Sequence, residues 1–219
     1  MTVLLENTAC DDALRHAHGL SLYFDTGRTK LLFDMGPDGA FAANAEALGV
    51  DLAAVDAAVL SHGHYDHGGG LRTFLTQNSR ARVLVHEGAF AAHYAAGPDG
   101  TRRDFGLDPS LREEFGGRFA AVRGVNRIGD ELTLFDGVDD AFGALTASAA
   151  LTEELPDGTL RPDAFGHEQN LLITAGGRAV LVAGCAHRGI VNIRDRAETL
   201  LGREIDTVVA GFHLFELPE

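Results

Sequence analysis

Tryptophan is absent from the 219 residues, and cysteine occurs only as Cys10 and Cys185. Two cysteines make no disulfide framework, so in a cytoplasmic setting each reads as a buried thiol or a metal ligand, with Cys10 the ordinary buried thiol. No apolar run approaches the roughly 18 residues needed to span a bilayer. The first residues carry Glu6, Asp11 and Asp12 with no early Lys or Arg, which argues against an export signal. Basic residues are also scarce, 18 against 32 acidic ones, and the formal net charge of −14 repels phosphate backbones and anionic headgroups. Nucleic-acid and membrane partners are therefore disfavoured, and a small molecule is the expected substrate, with an anionic or phosphorylated one among the options. What is present is ordinary for a folded chain, 45% hydrophobic and 23% charged, and its length suits one domain over residues 1–219. The ten histidines are the unusual feature, because several crowd into one short segment.

Apolar runs at 20–24 and 30–34 flank Asp25-Thr26-Gly27-Arg28, which is hairpin chemistry. A helix is predicted over 40–48, ending at Gly49, followed by strands at 55–60 and 81–86. The stretch 89–117 mixes Gly, Pro, Arg and Asp without periodicity and reads as an irregular, substrate-shaping excursion. A second hairpin at 171–173 and 179–182, a helix at 193–201 and a strand at 205–210 then echo the first half. Gly27 and Gly177, Arg28 and Arg178, Asp56 and Asp206, and Val59 and Val209 are each 150 positions apart. This gapless echo predicts two similar α/β halves with helices on the outer faces. It sets Asp34-Met35 beside Gly184-Cys185, and Ser61-His62-Gly63-His64 beside Gly211-Phe212-His213.

The densest chemical signal is Ser61-His62-Gly63-His64-Tyr65-Asp66-His67-Gly68-Gly69-Gly70, directly after the apolar strand. Residues two apart project to one side of an extended segment, so His62 and His64 can grip one ion while Asp66 and His67 face a second. The glycines are expected to leave the backbone free to curl around the metals. Imidazole and carboxylate together suit Zn²⁺ or Fe, whereas Mg²⁺ and Ca²⁺ want mostly oxygen. Four ligands cannot complete two shells, and His167, Cys185, His187 and His213 are the candidates for the remainder.

The His-x-His-x-Asp-His pattern, with the strand end Leu32-Phe33-Asp34-Met35-Gly36 upstream, resembles the metallo-β-lactamase-fold superfamily of metallohydrolases. His167-Glu168-Gln169-Asn170, Gly184-Cys185-Ala186-His187 and Gly211-Phe212-His213-Leu214 add a resemblance to the branch named for the archaeal dihydropterin ribofuranosylaminobenzene phosphate synthase. The resemblance covers nearly the whole chain. It implies an α/β fold, the four-layer αββα sandwich, with two divalent metal ions, zinc first and iron or manganese as alternatives. Carried over by position, His62 and His64 match ligands of the first metal, and Asp66, His67 and His213 match ligands of the second. Cys185 falls where many members have a bridging aspartate and would act there as a thiolate. The third ligand of the first metal stays open between His167, which precedes a strand as in the superfamily's Gly-His element, and His187, two positions beyond Cys185.

Asp34 is expected to orient a ligand-bearing loop. His86, His93 and Tyr94 are candidates for the pocket wall, Arg102-Arg103 for an anionic group, and His16 and His18 are unassigned. The chemistry these residues imply is hydrolysis of an ester, lactone or phosphoester by a metal-bound hydroxide, with Asp66 orienting the nucleophile and His187 assisting at the site. The rival reading is a transferase like the named synthase, joining a pterin methyl carbon to an aminobenzene ring. A redox di-iron or non-catalytic metal protein is the third.

Overall fold

The computed structural model describes residues 1–96, 101–143, 151–155 and 157–213. In chain order the elements are β1 (Thr2–Leu5), β2 (Ser21–Asp25), β3 (Lys30–Phe33), α1 (Ala40–Ala47), β4 (Ala57–Val59), α2 (Tyr65–Gly68), α3 (Leu71–Gln77), β5 (Arg82–His86), β6 (His93–Ala96) and β7 (Arg102–Asp104). They continue with α4 (Ser110–Phe115), β8 (Phe119–Val122), β9 (Asn126–Ile128), β10 (Leu132–Phe135), β11 (Leu151–Glu154), β12 (Leu160–Pro162), β13 (Asn170–Ala175), β14 (Arg178–Val182), α5 (Ile190–Leu201) and β15 (Thr207–Val209). By internal contacts the chain forms two units, Met1–Phe90 with Gly106–Val122, and Ala91–Phe105 with Arg123–Glu219.

The first unit is built on a six-stranded sheet in the order β1-β2-β3-β4-β5-β8. Its hairpin forms as the sequence dictates: Asp25 Oδ1 accepts the Gly27 N–H at 2.8 Å, and Gly27 takes a φ of 83° that a side chain would resist. β3 pairs antiparallel with β2 and parallel with β4, and Leu31, Leu32 and Phe33 are buried on both faces, as inner strands of such sheets are. Phe41 of α1 and Phe74 of α3 cover Leu32, Ala58 and Val83 in one apolar cluster. Burying each such phenylalanine contributes about 1.5–3 kcal/mol.

The second unit carries a five-stranded sheet, β15-β14-β13-β10-β9, and a four-stranded one, β12-β11-β6-β7. Ile193 and Ala197 of α5 pack on Leu172, Leu181 and Phe135. Gly202 ends that helix in the left-handed region at φ 72°, with its N–H returned to Glu198 O.

The stretch 89–117 is more regular than its composition suggests. Residues 91–105 belong to the second unit, where β6 pairs with β7 and β11, while 106–117 return to the first unit and form α4. Residues 97–100 of that stretch, and Leu214 of the terminal motif, lie outside the described residues.

The internal echo is real, but it is not gapless. Each half runs hairpin, helix, parallel strand, and Asp56 accepts the Lys30 N–H at 2.9 Å just as Asp206 accepts that of Ala179 at 2.7 Å. The ladders match Lys30 to Ala179 and Phe33 to Val182, an offset of 149, whereas Asp56 matches Asp206 and Val59 matches Val209, an offset of 150. One residue is therefore inserted in the second half between its hairpin and its last strand. Asp34 N–H donates to Val59 O at 2.9 Å and Ala183 N–H to Val209 O at 3.0 Å, so the counterpart of Asp34 is Ala183, not Gly184.

Candidate metal centre

In the first unit the donor set grows from the end of β4. His64 has extended backbone, but the chain bends at His62 and Gly63 instead of running straight as the spacing suggested; the two rings still come to 4.5 Å between centroids, and α2 is one helical turn that brings Asp66 Oδ2 to 3.4 Å from His67 Nε2. All four side chains are buried.

Hydrogen bonds decide which nitrogen His62 and His67 offer. Asp34 Oδ2 accepts the Ser61 hydroxyl at 2.7 Å, which commits that proton and leaves Ser61 Oγ to accept from His62 Nδ1 at 2.8 Å. The same carboxylate lies 2.6 Å from His67 Nδ1, so this nitrogen carries the proton and Nε2 offers the lone pair beside Asp66. Asp34 Oδ1 further accepts the Ser61 N–H at 2.7 Å. One buried carboxylate, held at φ 58°, thus fixes two imidazoles in metal-ready tautomers.

The glycines of this segment act by size and not by conformation. Gly63, Gly68, Gly69 and Gly70 all have negative φ, but a Cβ on Gly63 would collide with the Ala89 carbonyl, and one on Gly69 or Gly70 with the carbonyls of Pro37 or Met35. His18 is the unassigned histidine that acquires a place, with Nε2 3.5 Å from Asp66 Oδ2. Gly19, at φ 137°, lets that segment pass against the Asp66 carbonyl.

In the second unit the ligand atoms of Cys185, His187 and His213 all lie within 4.8 Å of one another. Cys185 and His187 follow β14 in a tight turn where Ala186 adopts φ 56°. Glu168 holds that turn, its buried carboxylate accepting the N–H groups of His187 at 2.7 Å and Arg188 at 3.0 Å. Phe165 stacks on the His187 ring at 4.2 Å and 9°. His213 follows Phe212 on backbone of positive φ, and Gly211 N–H closes onto Gly184 O at 2.6 Å.

His167 sits elsewhere in the unit: its Nε2 is 3.2 Å from Asp163 Oδ2, and His93 Nδ1 is 3.0 Å from the same oxygen. Of the two histidines left open by the sequence, His187 is therefore the one grouped with Cys185 and His213. The sequence reading gave Ser61 and Glu168 no role beyond their place in the motifs, and it missed Asp163. Each stands next to a singled-out histidine or four residues from one, and only the folded backbone shows which of its atoms it serves.

The remaining candidates do less. His86 Nδ1 accepts the Gly88 N–H at 3.1 Å, a turn contact. The Tyr94 hydroxyl donates to Glu154 at 2.8 Å, and this raises its pKa above the ordinary tyrosine value. Arg102 lies over the Tyr94 ring at 4.1 Å, Arg103 is exposed on β7 beside the Phe105 ring, and His16 is exposed. Cys10 is exposed, against the expectation of a buried thiol, because its loop runs among the exposed Asp11 and Asp12.

These donors fit divalent transition ions: imidazoles, of which His62 and His67 have their Nδ1 atoms committed, a buried carboxylate and a buried thiol. Among the described residues no helix is long and apolar enough to cross a membrane.

Comparison with known proteins agrees with this chemistry. Residues 16–187 match the family described as the metallo-beta-lactamase superfamily. An uncharacterized protein of Methanocaldococcus jannaschii is 27% identical over 97% of this chain and 78% of its own. The same organism's 7,8-dihydropterin-6-methyl-4-(beta-D-ribofuranosyl)-aminobenzene-5'-phosphate synthase is 26% identical over 91% of this chain and 71% of its own. A crystal structure described as a metal-dependent hydrolase of the beta-lactamase superfamily superposes with a TM-score of 0.82 at 29% identity, covering 99% of this chain and 77% of that one. A Cronobacter sakazakii metallo-beta-lactamase, 17% identical with a TM-score of 0.50 over 88% of this chain and 71% of its own, shares the fold alone. With the donor pattern, the fold and a family match over most of the sequence in agreement, the chain belongs to the metallo-β-lactamase superfamily.

Proposed function

We propose that this protein is a metal-dependent hydrolase of small ester, lactone or phosphoester substrates. Its two divalent ions, zinc before iron or manganese, would be held by His62, His64, Asp66 and His67 of the first unit and by Cys185, His187 and His213 of the second. The observation that carries the reading is the Asp34–Ser61 network, which commits the Nδ1 atoms of His62 and His67 and so leaves their Nε2 atoms as ligands. Such ions, when bound, supply Lewis acidity and lower the pKa of a coordinated water toward neutrality. The chain's own part is to hold them: Asp34 and Ser61 orient imidazoles, Asp66 orients the attacking water, Glu168 holds the backbone turn that carries His187, and Phe165 stacks on its ring.

The likeness to the dihydropterin synthase supports a second reading, a transfer at the same residues in which a pterin methyl carbon bonds to the aminobenzene ring as a phosphate or pyrophosphate leaves that carbon and the ring loses a proton. One experiment separates the two. Zinc-loaded protein is assayed on phosphodiester, lactone and thioester panels and, in parallel, on pterin with aminobenzene acceptors. Hydrolysis lost by several orders of magnitude in His62→Ala and His64→Ala supports the first reading; coupling without hydrolysis supports the second. Full metal content and activity in both variants would sink the donor assignment. Cys185 gives an independent readout. Alkylation of Cys185 should be slow with metal and fast after chelation, while exposed Cys10 reacts equally in both.

A further inference from the structure

His93, Asp163 and His167 come from three segments of the second unit: β6, the loop after β12, and the turn before β13. All three are buried, His93 to 1% exposure and His167 to 4%. Asp163 Oδ1 is fixed by the Phe165 N–H at 2.7 Å, and this turns Oδ2 toward the two imidazoles. His93 Nδ1 then lies 3.0 Å and His167 Nε2 3.2 Å from that one oxygen, with the rings 4.1 Å apart and tilted by 43°. Two donors each about 2.1 Å from a shared ion stand about 3.0–3.4 Å apart when their angle lies between a right angle and the tetrahedral value. Both observed separations fall in that interval.

We propose that His93, Asp163 and His167 form a separate site for a divalent transition-metal ion, distinct from the donor set of Cys185, His187 and His213. Two imidazoles and one carboxylate match Zn²⁺, Fe²⁺ or Co²⁺ and are a poor set for Mg²⁺ or Ca²⁺, which want oxygen. Three protein ligands leave coordination positions for water or a substrate oxygen. The two histidines between which the sequence could not choose are thereby both ligands, of different ions. An apolar core would be served by one histidine bonded to one carbonyl. Here a carboxylate gathers rings from β6 and from a turn 70 or more residues further on.

The full chain, stripped with a chelator, is titrated with Zn²⁺ alone and with Co²⁺ alone. His93→Ala and Asp163→Asn should each lose one equivalent relative to the unmodified protein, or weaken it by about 10–100-fold or more. Asp163→Asn keeps an oxygen for the Phe165 N–H, so it tests the site in a folded protein even if His93→Ala does not fold. In both variants the thiolate-to-cobalt absorption of Cys185 should persist, whereas Cys185→Ser should abolish that band and keep the His93-dependent equivalent. Failure of the Cys185 assignment is thus read separately from failure of this one. Stoichiometry unchanged and affinity within tenfold of the unmodified protein in Asp163→Asn would overturn the proposal and leave a hydrogen-bonded trio.

Discussion

Asp34 is the residue on which the first donor set turns. Its carboxylate accepts from the Ser61 backbone, the Ser61 hydroxyl and His67, and it does so from a left-handed backbone conformation. Asparagine tolerates that conformation, so Asp34→Asn isolates the electronic role from the backbone. The amide can accept through only one oxygen, leaving buried donors unmatched at a cost of about 1–3 kcal/mol. We expect the variant to fold and to bind zinc about 10–100-fold more weakly, as measured by competition with a chromophoric chelator. Equal affinity would mean that His67 needs no carboxylate to hold its tautomer.

Among the elements, the repeated hairpin–helix–strand unit carries its own electrostatic lock. In each half an aspartate before the parallel strand accepts a backbone N–H from the neighbouring strand and meets an arginine, Arg80 with Asp56 and Arg203 with Asp206. The Ala179 N–H, then Arg203, hold the Asp206 carboxyl below the ordinary aspartate range. A carboxyl whose folded pKa is depressed stabilises the protein above its unfolded value, near about 3.9, and that contribution is lost as pH falls through the lower folded value. Asp206→Asn should therefore be less stable at neutral pH and show a shallower loss of stability as the pH falls below about 4, read from urea midpoints in that acid range. Parallel curves for the two proteins would remove Asp206 from the acid response.

For the whole molecule, donor sets assembled from distant segments exist only when the chain is folded, so bound ions stabilise the native state by mass action. At a free ion concentration 100 times Kd, one site adds about 2.7 kcal/mol. In a chain of this size that raises the unfolding temperature by about 5–10 °C. Calorimetry with and without chelator should show this shift, graded with zinc concentration; superposed melts would mean that the donors hold no ion.

The sequence by itself determined the fold and pointed to the first group of candidate donors, because both are local. Hairpin residues, apolar strands and the His-x-His-x-Asp-His spacing act over a few positions, and the parallel strand β4 delivers that segment intact. It also showed the internal repeat, but not the single inserted residue, since only the hydrogen-bond ladder distinguishes an offset of 149 from one of 150. Tertiary structure alone decided three matters. It separated His187 from His167, because Glu168 holds the backbone turn that carries His187 and Phe165 stacks on its ring, while Asp163 meets the ring of His167. It put Cys10 at the surface. It gave Gly63, Gly69 and Gly70 a steric reason in the carbonyls packed against them, where composition had suggested backbone freedom. Each depends on which atoms of distant segments come within hydrogen-bonding or van der Waals distance, and spacing along a chain does not encode that.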